Sequence, residues 1–221
     1  MFDIEQWLAL YTAIMKKQFG ERIWFMGLQG SFGRGEANEA SDIDVVLILD
    51  SVSYSDLVTY SKLLDTLPHR TRVCGFVSGK SEIKLWDKSD LFQFCHDTTA
   101  IIGSLDELTR TISEDDIRAA IRLGACNIYH ACVHNVVHAK SLEDLKALYK
   151  SAIFVLQAIV YLKNGFFVKK QADLASYLEP EDNKILHTSL ILKNGSDGSF
   201  SLMAEMLINW SSKWIAKAKE L

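Results

Sequence analysis

Residues 27–50 read GLQGSFGRGEANEASDIDVVLILD, a glycine-rich turn followed by two aspartates and a continuous apolar run. The turn, residues 30–36, carries three glycines. Glycines allow the backbone to approach a ligand closely, and successive N–H groups can form an anion-binding nest, so a phosphate is the ligand that suits this turn. The turn is not a Walker loop, because Gly-Lys-Ser/Thr is missing, and its glycine spacing differs from that of a dinucleotide fingerprint.

Two aspartates, Asp42 and Asp44, stand directly before the apolar run 45–49, which predicts a central strand buried on both faces. Side chains alternate along a strand, so both carboxylates are expected on one face. Neighbouring carboxylates repel each other unless a divalent cation binds between them, and oxygen ligands suit Mg²⁺ or Mn²⁺. Taken separately, the glycine-rich segment could be only a tight turn, and the two aspartates only the solvated start of a strand. The turn, the acid pair and the strand in this order favour a ligand site.

The hydrophobic period changes near residue 110. Before it, short apolar runs alternate with helical patterns, which predicts a small α/β arrangement. The predicted strands cover residues 22–28, 43–49, 72–77 and 91–94, and the predicted helices cover residues 4–18 and 55–67. This part, residues 1–109, is expected to form the first domain.

After residue 110 the strand signals stop. Ser113 and Ser141 are each followed by acidic residues, which is typical of helix N-caps, and Asn164-Gly165 is a helix-stop pair. Helices are predicted over residues 113–138, 141–164, 170–178, 181–192 and 199–219. The fold class is therefore α+β, a small mixed-sheet domain followed by an all-α helical bundle in residues 110–221.

Composition limits the function classes. The 221 residues are 48% hydrophobic and 24% charged, as in ordinary globular proteins. A net charge of −4 offers no basic field, so no nucleic-acid partner is expected.

The acidic start is unlike a secretory signal and no apolar run reaches the ~18 residues of a membrane span, so a cytoplasmic protein without a membrane partner is expected. Four cysteines without CxxC spacing are expected to be reduced thiols.

The motif as a whole, Gly30-Ser31, then residues 34–37, then residues 41–44, resembles the signature of the polymerase β-type nucleotidyltransferase superfamily, especially its minimal and aminoglycoside-modifying members. The resemblance implies a Mg²⁺-dependent enzyme, or one using Mn²⁺, that transfers a nucleoside monophosphate to a hydroxyl and releases pyrophosphate. ATP is the expected nucleoside triphosphate, with another NTP as the alternative. The hydroxyl acceptor, a small molecule or a protein, stays unidentified, and a homodimer fits related enzymes that share active sites.

The resemblance also implies residue roles. In that superfamily the Gly-Ser turn holds the terminal phosphates and the paired aspartates bind the metal, so Asp42 and Asp44 are predicted metal ligands and catalytic residues. The predicted nucleotide-binding residues of the turn are Gly30, Ser31, Arg34 and Glu36.

A third carboxylate on a neighbouring strand is a further feature of that superfamily. Asp90, before Leu91-Phe92-Gln93-Phe94, matches the expected context best and is the predicted third catalytic and metal-binding acid. Asp97 and Glu82 stay open as alternatives. A helix N-cap or turn acid is the plainer interpretation of Asp90.

The helical half contains a weaker match. Residues 164–175 resemble the segment that follows the long helix in streptomycin- and spectinomycin-type adenylyltransferases, where a lysine reaches the nucleotide phosphates. Lys170 is the matching lysine and a predicted nucleotide contact. A solvated basic helix start explains it as well.

Cys126, His130, His134 and His138 recur every four residues along one predicted helix. Zinc is disfavoured, because His130 has no adjacent glutamate and successive members rotate by ~40° around a helix. The stripe could line a groove between the two halves, where a neutral imidazole accepts a proton. A buried, hydrogen-bonded stripe within the bundle is the simpler expectation.

Two other functions stay open at this point. An antitoxin-like regulatory nucleotidyltransferase would modify or mask a partner protein, although such proteins usually lack a long helical half. A degenerate nucleotide-binding protein without catalysis is the second, and the intact Asp42 and Asp44 pair argues against it.

Overall fold

A computed structural model describes residues 2–193, 195, 198–218 and 220 and divides the chain into two compact units. The sheet unit contains Met1–Asp87 and Phe94–Thr111, and the helical unit contains Lys88–Gln93 and Ile112–Leu221. The predicted α+β class is confirmed. A single boundary after residue 109 misses the segment Lys88–Gln93, which belongs to the helical unit because Phe92 packs edge-on against Tyr161 there, with ring centroids 5.1 Å apart.

The sheet unit is built on four strands in the order β3-β2-β1-β4. These strands are β1 (Ile23–Leu28), β2 (Ile43–Leu49), β3 (Val73–Gly79) and β4 (Thr99–Ile102). Strand β1 is antiparallel to β2 and β4, whereas β2 and β3 are parallel. The helices before residue 110 are α1 (Ile4–Phe19), α2 (Gly30–Arg34), α3 (Tyr54–Leu64), α4 (Lys80–Leu85), α5 (Lys88–Asp97) and α6 (Asp106–Thr109), with 3-10 turns at Gly20–Arg22 and Arg70–Arg72.

Strand β2 is the centre of this unit, as its uninterrupted apolar sequence predicts. Ile43 and Val45 through Leu49 are all at most 1% exposed. Strands buried on both faces read as continuous rather than alternating apolar runs. Because β2 lies between β1 and β3, its first residues are held in place from both sides.

The fourth strand differs from the prediction. Residues 91–94 lie within α5, and the strand that completes the sheet is Thr99–Ile102. A short apolar run does not by itself distinguish a strand from a buried helical segment, and this one is helical with Leu91 and Phe92 buried. The four-residue strand β4 has exposed Thr99 and Ala100, so it lacks the apolar run that signals a strand.

The helical unit contains four longer helices, α7 (Glu114–His134), α8 (Leu142–Asn164), α9 (Pro180–Lys193) and α10 (Phe200–Lys217). The predicted caps are present, since Ser113 forms a capping box with Asp116 and Ser141 accepts from the N–H of Asp144. A π-helical turn, Asn135–Ala139, follows α7. The segment predicted as a helix over residues 170–178 is a 3-10 helix, Gln171–Tyr177. Lys219, the predicted end of the last helix, lies outside the described residues.

Helix α8 contains a long apolar window. The length of the helix and the mean hydropathy of 1.5 in this window would suit a membrane span, yet 56% of the window is buried within the structure. Its residues from Val155 to Val160 belong to the core that α8 forms with α7, α9 and α10. Packing in a core therefore accounts for the composition of α8.

Candidate active site

Gly30 begins α2 directly after β1 and packs against Asp44. The N–H of Gln29 donates to the carbonyl oxygen of Asp44 at 2.8 Å, which continues the pairing of β1 with β2. Gly30 has a φ of +64°, and a Cβ built there would lie 2.0 Å from Asp44 Oδ2. Only glycine fits this position, so the glycine turn and the second aspartate of the motif meet at one point.

The two aspartates alternate with buried residues at the start of β2. Asp42 is exposed just before the strand, Asp44 is half-buried, and Ile43 and Val45 between and after them are fully buried. The acids thus avoid the apolar core. Ser31, the second residue of the predicted phosphate-binding turn, is half-buried within α2.

Strand β3 places a cysteine where a third acid would be expected. Cys74 lies directly opposite Asp44 in the parallel register. Residues opposite each other on neighbouring strands project to the same face of the sheet. In the described sheet, strands β1, β3 and β4 carry no carboxylate, so a third acid on a neighbouring strand is missing.

The three candidates for that acid lie elsewhere. Asp90 stands in the first turn of α5 and belongs to the helical unit, so its placement on a strand is wrong. Glu82 lies on α4 beside Gly79, and Gly79 pairs with Leu49 at the far end of β2 from Asp44. Asp97, at the end of α5, is the candidate that reaches the glycine turn.

Asp97 is held by Arg34. Both are buried, and Arg34 Nη1 lies 2.9 and 2.8 Å from the two carboxylate oxygens of Asp97. The N–H of Gly30 donates to the same carboxylate at 3.3 Å, and Arg34 Nε donates to Glu36 at 3.3 Å. In this structure Arg34 and Glu36, which the motif predicts as nucleotide contacts, hold the turn together.

Further hydrogen bonds fix the turn to the segment after α5. Gln29 Nε2 donates to Thr98 Oγ1 at 2.7 Å, and Thr99 Oγ1 donates to the carbonyl of Gly33 at 3.1 Å. A Cβ at Gly33 would lie 2.6 Å from the carbonyl oxygen of Leu28, so this glycine permits close packing. The turn is therefore shaped before any ligand arrives, which is what precise binding of a phosphate requires.

Arg72 is a site residue that sequence reasoning did not find. Its Nε and Nη2 donate to the carbonyl of Ser41 at 3.0 and 2.6 Å, one residue before Asp42. Its guanidinium lies 4.7 Å from the ring centroid of Phe2 and 5.7 Å from that of Phe32. An arginine at the end of a 3-10 turn, directly before a strand, carries no local signal for this contact, which depends on the pairing of β3 with β2.

Two predicted features lie in the helical unit. Lys170 is exposed and immediately precedes the 3-10 helix Gln171–Tyr177, and its role stays a prediction. The expectation of a buried histidine stripe is wrong, because His130, His134 and His138 are exposed. The helix buries another face there, with Ala125, Ile128 and Cys132.

The remaining candidate ligands are the acidic, histidine and cysteine side chains. Within the part of the chain that is described, no group of three or more His, Cys, Asp or Glu side chains is arranged to hold a metal ion. None of the four cysteines forms a disulfide; Cys74 is exposed, Cys126 is half-buried, and Cys95 and Cys132 are buried. Burial raises the pKa of the Cys132 thiol.

Comparison with known proteins agrees with the motif. Residues 13–90 match the family model described as a nucleotidyltransferase domain. Among solved structures the fold is similar to the spectinomycin adenyltransferase AAD(9) from Enterococcus faecialis, solved with ATP and spectinomycin. That match has a TM-score of 0.63 and 13% sequence identity, and covers 96% of this chain and 99% of the other. No curated protein matches the sequence. The predicted resemblance is confirmed, since residues 13–90 are similar to a nucleotidyltransferase domain.

Proposed function

We propose, from the nucleotidyltransferase domain in residues 13–90, that this chain transfers a nucleoside monophosphate from a nucleoside triphosphate to a hydroxyl group and releases pyrophosphate. The observation that carries the proposal is the contact between Gly30 and the Asp44 carboxylate, which joins the phosphate-binding turn to the acid pair. ATP is the proposed nucleotide, supported by the ATP in the similar spectinomycin adenyltransferase structure.

The acid pair fits a magnesium ion that arrives with the nucleotide. Mg²⁺ usually keeps several waters and binds through one or two carboxylates plus substrate phosphates, so it does not need a complete protein ligand set. Asp42 and Asp44 would hold it, and Mn²⁺ would fit the same oxygens. When bound, such an ion neutralises phosphate charge and lowers the pKa of an attacking hydroxyl.

The protein groups have separate tasks in this proposal. The backbone N–H of Ser31 binds the terminal phosphates, whereas the N–H of Gly30 donates to Asp97. The turn keeps its shape because Asp97 and Arg34, both buried, support it. Positioning and electrostatic stabilisation supply most of the catalysis in phosphoryl-group transfer, so a rigid turn is itself functional.

The acceptor is proposed to be a hydroxyl of a small molecule or of a protein. The similar adenyltransferase was solved with spectinomycin, which supports a small molecule. An antitoxin-like enzyme that modifies a partner protein would use the same site, and a mass increase on a co-purifying protein would support that alternative.

The test is incubation of the full chain with labelled ATP and Mg²⁺ against a panel of hydroxyl compounds, with pyrophosphate release as the readout. We expect release that depends on both the acceptor and the divalent cation. Binding of ATP without release against any small molecule or co-purifying protein would contradict transfer and favour a degenerate nucleotide-binding protein.

Replacing Gly30 with alanine is expected to weaken ATP binding and transfer by at least about a hundredfold. The new Cβ would lie 2.0 Å from Asp44 Oδ2 and would displace that carboxylate. Gly35→Ala is the matched control, because Gly35 also has a positive φ, +71°, but open space around its Cβ position. Both variants should lose roughly 1–2 kcal/mol of stability from backbone strain, measured by denaturant unfolding. Equal ATP affinity in the two variants would contradict the proposed contact.

Replacing Cys74 with glutamate is expected to raise turnover by about tenfold or more. Cys74 is exposed and lies opposite Asp44, so a carboxylate there would act on the same face as the acid pair. A well-placed acid or base contributes roughly 10²–10⁴-fold to a proton-transfer step. Cys74→Gln has the same shape without the charge and serves as the control. Equal pyrophosphate release from the two variants would exclude this position as a site for a third acid.

A further inference from the structure

The helical unit contains a cavity of about 400 Å³ that the proposed transfer reaction does not use. It is bounded by the first turns of α5 and by the middle of α7 and α8. Its volume falls within the roughly 300–1,000 Å³ of small-molecule sites. Every residue that lines it belongs to the helical unit, so this cavity can be described without reference to the sheet unit.

The walls of the cavity are mainly apolar. Six large side chains form most of them: Phe92, Leu123, Ile128, Leu148, Phe154 and Val155. Gly124 lets α7 and α8 pack closely against each other, because a Cβ at this position would lie only 2.6 Å from a methyl group of Val155. Leu123 is 46% exposed, so part of the apolar wall faces solvent. These walls suit an aliphatic or aromatic body.

The charged group of the cavity lies on α5. Among the described residues that line the cavity, Asp90 is the only charged one, and it is exposed at the start of α5. Gln93, one turn further along α5, donates from Nε2 to Gln157 at 3.1 Å, while its own Oε1 is buried without a hydrogen-bond partner in the structure. Of the possible partners for a carboxylate, a cationic donor forms the strongest hydrogen bond.

We propose that this cavity is a binding site for a small organic ammonium ion with an apolar body. The ammonium group pairs with Asp90, and the body packs against the aromatic and aliphatic walls. The cation gains from pairing with the Asp90 carboxylate, and the apolar body gains from leaving water. In this proposal Asp90 binds a ligand of the helical unit and is not the third acid on a strand that its sequence context predicts. The proposed binding does not depend on the proposed transfer reaction.

The test uses 4-phenylbutylamine at neutral pH, where it is cationic, and 4-phenylbutan-1-ol, which has the same skeleton without the charge. Isothermal titration of the full chain is expected to show binding of the amine at least about tenfold tighter than that of the alcohol. Asp90→Asn should reduce the affinity for the amine to that for the alcohol. Asp173→Asn, an exposed acid of the same unit outside the cavity, is the matched control and should leave the affinity unchanged.

A second variant tests the location. Ala120 lines the cavity on α7, and Ala120→Phe should fill it and abolish binding of both compounds, with circular dichroism confirming the helices. If Ala120→Phe fails to fold, the chemical shifts of Phe92 and Leu123 on titration with the amine locate the site instead. Equal affinities for amine and alcohol, an unchanged affinity in Asp90→Asn, or no binding of the amine at millimolar concentration would overturn the proposal.

Discussion

Asp44→Asn is expected to lower turnover by about a thousandfold or more while leaving the fold intact. Asp44 packs against Gly30 and shares the start of β2 with Asp42, so it is the acid that joins the metal ligands to the phosphate-binding turn. A metal ligand supports several kcal/mol of charge stabilisation in the transition state, and each 1.4 kcal/mol corresponds to about tenfold in rate. Pyrophosphate release at saturating ATP and acceptor measures the effect.

Stability distinguishes this outcome from simple unfolding. Removing one of several neighbouring negative charges relieves repulsion, so the free energy of unfolding of Asp44→Asn should equal or exceed that of the unaltered chain. Asp50→Asn is the control, because Asp50 lies at the opposite end of β2, where it pairs with Arg22. Turnover that is unchanged in Asp44→Asn, or reduced as much in Asp50→Asn, would refute the proposed metal role.

Asp97→Ala is expected to lower the free energy of unfolding of the sheet unit by about 3–5 kcal/mol. The side chains of Arg34 and Asp97 are only 5% and 10% exposed, and without Asp97 the buried guanidinium keeps only its longer contact of 3.3 Å to Glu36. The N–H of Gly30 would also lose its acceptor. Denaturant unfolding monitored by circular dichroism measures the change, and the KM for ATP should rise because the turn loses its support.

The double variant Arg34→Met, Asp97→Ala tests the cause. If the cost comes from a buried guanidinium that Glu36 alone does not compensate, the double variant should be more stable than Asp97→Ala alone, because the guanidinium is then absent. ATP affinity should stay low in both variants, since both lack the Asp97 carboxylate that accepts from the N–H of Gly30. Additive losses of stability would show that the two side chains act independently and would contradict the proposed support of the turn.

Several properties were determined by the sequence alone because they depend on local patterns. The uninterrupted run 45–49 predicted the central strand, and Ser113 and Ser141 predicted the starts of two helices. Hydrophobic period and N-cap chemistry act within a few residues, so one stretch of chain contains the whole signal. The spacing of Gly30 and the acid pair likewise predicted the nucleotidyltransferase resemblance, which the match over residues 13–90 confirms.

Other properties were decided only by the tertiary structure. The register that pairs Cys74 with Asp44, the bond from Gly30 to Asp97 and the place of Asp90 beside a cavity each join residues that are distant in sequence. An apolar run such as residues 91–94 fits a strand or a helix equally well, and packing of Phe92 among the helices favoured the helix. Strand register and buried charge pairing depend on which surfaces meet, and no local pattern contains that information.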